Sequence, residues 1–233
     1  MYSLPQKLFA ELLGTFGVVF VASGAICADE YLRAAGSSRP GPLGCALAYG
    51  LAVALMVSAL GHISGAHLNP AITTALWVTR RLGTLVGLSY CIAQLAGALA
   101  AALLLTAVIP DTIWRPVWLG TPNLTTDFTR VHGMLLEGIL TFLVVLVAFA
   151  KTVDAKGLSQ QAAAFAIGLM VGLGSLVGGP FTGAALNPAR AFGPALVAHH
   201  WQNHGVYWLG PLFGASFAGF LYDRLFLRRH PSA

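Results

Sequence analysis

Charge is scarce in this chain. Asp, Glu, Lys and Arg together make up 9% of its 233 residues, against roughly 25% in soluble domains, so a surface kept in solution by its own charge is excluded. Cysteine is nearly absent as well. Cys27, Cys45 and Cys91 are an odd number, all in apolar surroundings, with no C-x-x-C and no histidine at metal spacing. They read as small buried hydrophobes rather than as a disulfide, redox or metal set. No cofactor and no metal are implied. The formal net charge of +5 does not point to nucleic acid, because the 13 Lys and Arg are spread between loops, where they mark the orientation of a membrane chain.

What is abundant is apolar sequence: 57% hydrophobic residues and a mean hydropathy of +0.75. Runs able to cross a bilayer, which takes ~20 residues each, fall at 8–27, 43–61, 85–109, 132–150, 162–178 and 206–226. The first is too long for a signal-peptide core and lacks a small-residue cleavage site. It is expected to be a retained span, with the mature chain starting near Met1. Two further apolar segments, 70–78 and 188–198, are too short to cross. No separate soluble domain fits.

Each short segment follows a repeated motif. Gly65-Ala66-His67-Leu68-Asn69-Pro70-Ala71 and Gly183-Ala184-Ala185-Leu186-Asn187-Pro188-Ala189-Arg190 are small-residue turns ending in Asn-Pro-Ala. Asn is a favoured N-cap and Pro fits the first helical position, so a helix is expected to begin at each. An offset of 118 superposes Asn69 on Asn187 and Gly50-Leu51 on Gly168-Leu169. Glu11, Thr15 and Phe16 recur as Glu137, Thr141 and Phe142 at 126, and Gly97-Ala98 recurs as Gly214-Ala215 at 117. The chain is an internal duplication, with repeats at about 1–109 and 130–233 in one domain spanning 1–233.

Three spans per repeat invert the second half relative to the first. The reading is therefore an all-α membrane protein of six transmembrane helices plus two re-entrant half-helices, one entering from each face and both ending near the midplane. Irregular backbone at that depth requires burial in protein or a water-filled cavity, so a central cavity is expected. With the N-terminus inside, Lys7, Arg80, Arg81, Lys151, Lys156, Arg224, Arg228 and Arg229 face inward and Arg33, Arg39, Arg115 and Arg130 outward. This places both termini in the cytoplasm. The connections 28–42 and 110–130 are then external, and 152–158 is a short internal one.

Asn69 and Asn187 are expected to cap the positive ends of the half-helices and to leave their amide NH₂ groups as donors into the lumen. The runs Gly65-Ala66-His67 and Gly183-Ala184-Ala185 cannot be helical before those caps, and their carbonyls can line a single file. Arg190 is a charge at membrane depth, expected to act as a filter element. Its counterpart in the first repeat is Ile72. Glu11 and Glu137 are equivalent intramembrane acids, read as acceptors for backbone N–H groups of the re-entrant loop in each half rather than as proton relays.

The motifs Ala10-Glu11-x-x-Gly14-Thr15, Gly61 through Ala71, Ala93-Gln94 and Asn187 through Pro194 resemble those of the aquaporin, or major intrinsic protein, family over essentially the whole chain. The resemblance implies a homotetramer in the lipid bilayer with one pore per subunit. It also implies an aromatic/arginine constriction at Tyr49, Ser175, Ala184 and Arg190. Water-selective members usually carry His where this chain has Ser175, whereas glycerol facilitators usually carry Asp where it has Ala191. The expected function is a passive water channel with single-file permeation and proton exclusion, with no catalysed reaction. Its rival is a broader pore for neutral solutes such as glycerol, urea, ammonia or hydrogen peroxide. A secondary transporter, also built from inverted repeats and broken helices, would need coordinating carboxylates beyond Glu11 and Glu137. A purely adhesive tetramer would not require Arg190 and both Asn caps. The expected location is the plasma, or cell inner, membrane.

Overall fold

The computed structural model describes residues 2–154 and 159–227. Lys156, Arg228, Arg229 and most of the 152–158 connection lie outside the described residues. Helices joined by short irregular connections make up the described residues, as the apolar runs require in a medium that cannot hydrogen-bond the backbone. The long helices are α1 (Leu4–Ala34), α2 (Gly41–Ser64), α4 (Thr84–Val108), α6 (Arg130–Thr152) and α7 (Gln160–Thr182). All five are long and apolar enough to cross a membrane. A sixth, α9 (Val206–Tyr222), continues into a π-type turn at Asp223–Leu227. The half-helices are α3 (Pro70–Val78) and α8 (Pro188–Val197), while α5 (Asp111–Trp114) is a single turn followed by an irregular 3-10 segment, Arg115–Gly120.

Two boundaries differ from the hydropathy reading. α1 runs on past residue 27, because its polar end is held by local pairs: Arg33 to Glu30 at 2.6 Å, and Asp29 accepting from Arg39 at 3.0 Å and from the Gly41 N–H at 2.7 Å. The 110–130 connection is not a plain loop. α5 is pinned by Asp111, which accepts from Trp114 and Arg115, and these bonds hold the Asp111 carboxyl below its ordinary pKa.

Packing follows the repeat. α1 lies on α4 as α6 lies on α9, α2 crosses α7 at the centre, and each half-helix packs on the last span of the other repeat, α3 on α9 and α8 on α4. With lipid as apolar as leucine, such contacts rely on small residues that let backbones approach. Gly50 and Gly168 meet where α2 crosses α7: a Cβ on Gly50 would stand 2.5 Å from the Gly168 carbonyl oxygen. Gly214 on α9 meets Gly138 on α6 more closely still. Large apolar side chains such as Phe9, Leu55, Ile92, Phe213 and Phe217 face outward, the inverse of a water-soluble surface and the expected face toward acyl chains.

Gly214→Val should therefore separate α6 from α9. Overpacking of this kind costs about 1–3 kcal/mol, and the expected outcome is a lower unfolding midpoint in detergent than for Gly219→Ala, where the nearest neighbour is the ring edge of Phe149.

Candidate functional site

The re-entrant loops meet at the Asn pair. Asn69 and Asn187 have extended backbones (φ −156° and −154°), and each side-chain oxygen accepts from the second residue of its half-helix, Ala71 or Ala189, at 2.8 and 2.9 Å. Their amide nitrogens reach across the repeat boundary. Asn69 Nδ2 donates to the Leu186 carbonyl and Asn187 Nδ2 to the Leu68 carbonyl, both at 2.9 Å. Each NH₂ spends one hydrogen joining the loops and keeps the other for the donor role expected of it. Both Asn side chains border the same cavity, and two helix N-termini, each equivalent to roughly half a positive charge, point at it.

The loops leading to these caps are left-handed at three places each: Gly65, Ala66 and Leu68 in one, Gly183, Ala184 and Leu186 in the other, with φ between 43° and 92°. Non-glycine residues in this region carry strain of about 1–3 kcal/mol each, so something must hold them. Glu11 accepts from the N–H groups of His67 (2.9 Å) and Leu68 (2.8 Å), from Ser64 Oγ (2.6 Å) and from Gln94 Nε2 (2.8 Å). Glu137 accepts from Ala185 N (2.9 Å), Leu186 N (2.8 Å) and Thr182 Oγ1 (2.7 Å). Both carboxylates are fully buried, and every one of these contacts is an N–H or O–H donating into them.

Further partners in these networks went unread in the sequence, although the repeat carried their signal. Ser64 and Thr182 are 118 residues apart, and Tyr90 and Tyr207 are 117 apart. The two tyrosine hydroxyls donate to the carbonyls of Ser64 (2.9 Å) and Thr182 (2.7 Å). His67 is buried, with Nδ1 3.1 Å from Thr73 Oγ1 and its ring edge against Tyr90.

Two cavities flank the constriction. The inner one, about 30 Å³, is bordered by Gly65, Ala66, His67 and both Asn residues, and the outer one, about 280 Å³, by Ser175, Gly183 and Arg190. Tyr49 borders both, so its ring is the partition. Its hydroxyl donates to the Ala185 carbonyl at 2.7 Å, which occupies one of the two lone pairs of an oxygen expected to face the lumen. Ala184 and Ala185 are packed away and border neither cavity. Tyr49, Ser175 and Arg190 come together.

Arg190 is 2% exposed. One of its terminal nitrogens donates to the Gly120 carbonyl at 2.7 Å, so the arginine is held by main chain of the 110–130 connection. Gly120 and the two residues before it, Trp118 and Leu119, all have positive φ. Trp118 stacks on His200 at 4.1 Å between centroids, fixing that segment to the connection after α8. Burial holds His200 below its ordinary pKa.

Two half-helices meeting tip to tip inside a membrane-spanning helical frame, with a cavity on each side of Tyr49 and Arg190 bordering one of them, define the class: this is a membrane channel, not an enzyme. The chain matches the family described as MIP: Major intrinsic protein over residues 2–222. It is 42% identical over 229 residues to "Probable aquaporin TIP3-2" of Arabidopsis thaliana, covering 95% of this chain and 84% of that one. To "Aquaporin-4" of Mus musculus it is 38% identical over 224 residues, covering 95% and 67%. The chain belongs to the major intrinsic protein family. The fold also superposes on a solved structure of the aquaglyceroporin from Plasmodium falciparum with a TM-score of 0.85 at 23% identity, covering 96% of this chain and 97% of that one.

Replacing Glu137 by Ala would strand the buried N–H groups of Ala185 and Leu186, at about 1–3 kcal/mol per unsatisfied group, while the Thr182 hydroxyl would keep the Gly178 carbonyl as an acceptor. Thermal unfolding in detergent should show a large drop in midpoint for Glu137→Ala and a smaller one for Glu137→Gln, whose amide oxygen still accepts.

Proposed function

We propose that this channel conducts water in single file and excludes protons. The observation that supports this most directly is the inner cavity: about 30 Å³ beside Asn69 and Asn187, when about 10–15 Å³ holds one water. Its remaining walls are mostly Val, Ile and Ala, so a passing water finds its hydrogen bonds in sequence at the Asn amides and the loop backbone. A water held by two donors presents its oxygen to both and cannot relay a proton between them. The positive helix ends and Arg190 oppose cations as well.

The roles follow from position. Asn69 and Asn187 orient the water; Tyr49, Ser175 and Arg190 set the width; Glu11 and Glu137 hold the loops and transfer no proton. Members named aquaporin among the relatives favour water. A second reading, a pore for small neutral solutes, is favoured by Ser175, whose short side chain leaves the outer cavity at about 280 Å³. A homotetramer with one pore per subunit in the cell's plasma membrane, both termini cytoplasmic, is the arrangement that the resemblance and the Lys and Arg distribution support.

The test is stopped-flow light scattering on proteoliposomes, first with an impermeant osmolyte and then with glycerol and urea, comparing the native chain with Ser175→His. Fast shrinkage without solute-driven reswelling is expected for both. Rapid reswelling of the native chain, suppressed by Ser175→His, would establish the wider solute pore instead.

A further inference from the structure

The sequence assigns Lys151 to orientation only, as one of the inward-facing basic residues. The structure gives it a different place. Lys151 is the penultimate residue of α6 and borders the inner cavity together with His67, Ala148 and Asn69. Its Nζ is shut off from bulk solvent and has no hydrogen-bond partner among the described residues. A lysine that merely marked the cytoplasmic side would extend its head into bulk water. This one turns its head inward.

An ammonium has three donors and no acceptor, and leaving it unsatisfied at this depth is costly. The cavity it borders has room for only a few waters, and its other lining residues carry no formal charge. The water able to satisfy the ammonium is therefore the water in transit. The position equivalent to Lys151 in the first repeat is Ala25, at the offset of 126 that relates Glu11 to Glu137. The duplicated frame is built without this charge, as it is built without Arg190 at Ile72. Lys151 and Arg190, both from the second repeat, border the inner and the outer cavity respectively, and the first repeat's Arg39, which also borders the outer cavity, is paired with Asp29.

We infer that Lys151 is a flow-limiting element of the pore: its side chain narrows the cytoplasmic end of the inner cavity and its ammonium holds the waters that pass. This rests on the water-pore reading. Each water leaving the inner cavity must exchange a charge-assisted hydrogen bond, stronger than one between neutral groups, and must do so beside a long side chain.

The experiment compares the native chain with Lys151→Ala, Lys151→Met and Lys151→Arg by osmotic shrinkage of proteoliposomes, with rates normalised to reconstituted protein. Lys151→Ser stands in if the Ala variant does not fold. Lys151→Ala should raise water permeability per channel severalfold, because the path loses a hydrogen bond roughly twice as strong as a neutral one. Lys151→Met, which keeps the length and loses the charge, should give a smaller rise, and Lys151→Arg none. Equal permeability of the Ala, Met and native chains, all well above empty liposomes, would overturn the inference and leave the water pore standing. So would a rise in Lys151→Arg matching that of Lys151→Ala. Native permeability no greater than that of empty liposomes would overturn the water pore and this inference with it.

Discussion

The structure depends on two buried carboxylates. Each re-entrant loop places three residues in the left-handed region, two of them not glycine, and brings backbone N–H groups to membrane depth, where no solvent can accept from them. Glu11 and Glu137 answer both demands at once. Each accepts two successive N–H groups of its loop together with a hydroxyl, which fixes the loop where its own preferences would not. A buried charge is stable only when its hydrogen-bonding capacity is used. The loops supply that, so carboxylate and loop stabilise each other and neither is placed alone.

From this anchor the rest of the pore follows. With the loops fixed, the Asn caps face each other and bond across the repeat boundary, each amide to the carbonyl just before the other Asn. Two helix ends that would repel each other electrostatically are thus held tip to tip by direct hydrogen bonds. Tight helix crossings at Gly50 with Gly168 and at Gly138 with Gly214 bring the frame close enough for these bonds to form. The frame is symmetric, whereas the chemistry placed on it is not. Arg190, Lys151 and the Tyr49 partition have no like counterparts in the other repeat, and the segment ending at Gly120 supports the arginine.

Much of this was legible in the chain. Asn-Pro-Ala marks a helix start through local physics alone, since the cap and the proline at the first helical position act within four residues; the half-helices begin at Pro70 and Pro188. The six long helices follow from apolar length. Harder to read were contacts between distant residues without a repeated pattern. The Tyr49 hydroxyl meets a carbonyl 136 residues away, and the Gly120 carbonyl meets Arg190 at a separation of 70. The positive φ angles at Trp118 and Leu119 contradict local preference and depend on neighbours such as His200.

The sequence by itself determined the membrane frame, the duplication and the places where helices start, because apolar length, small residues and capping chemistry act over short stretches and were written twice. Only the tertiary structure decided which carbonyls remain open to the lumen, how Arg190 is held and that Lys151 turns inward. Those outcomes depend on which donors and acceptors meet when separate helices close around one narrow cavity, where an unpaired polar group is too costly to leave and the nearest partner in space is seldom the nearest in sequence.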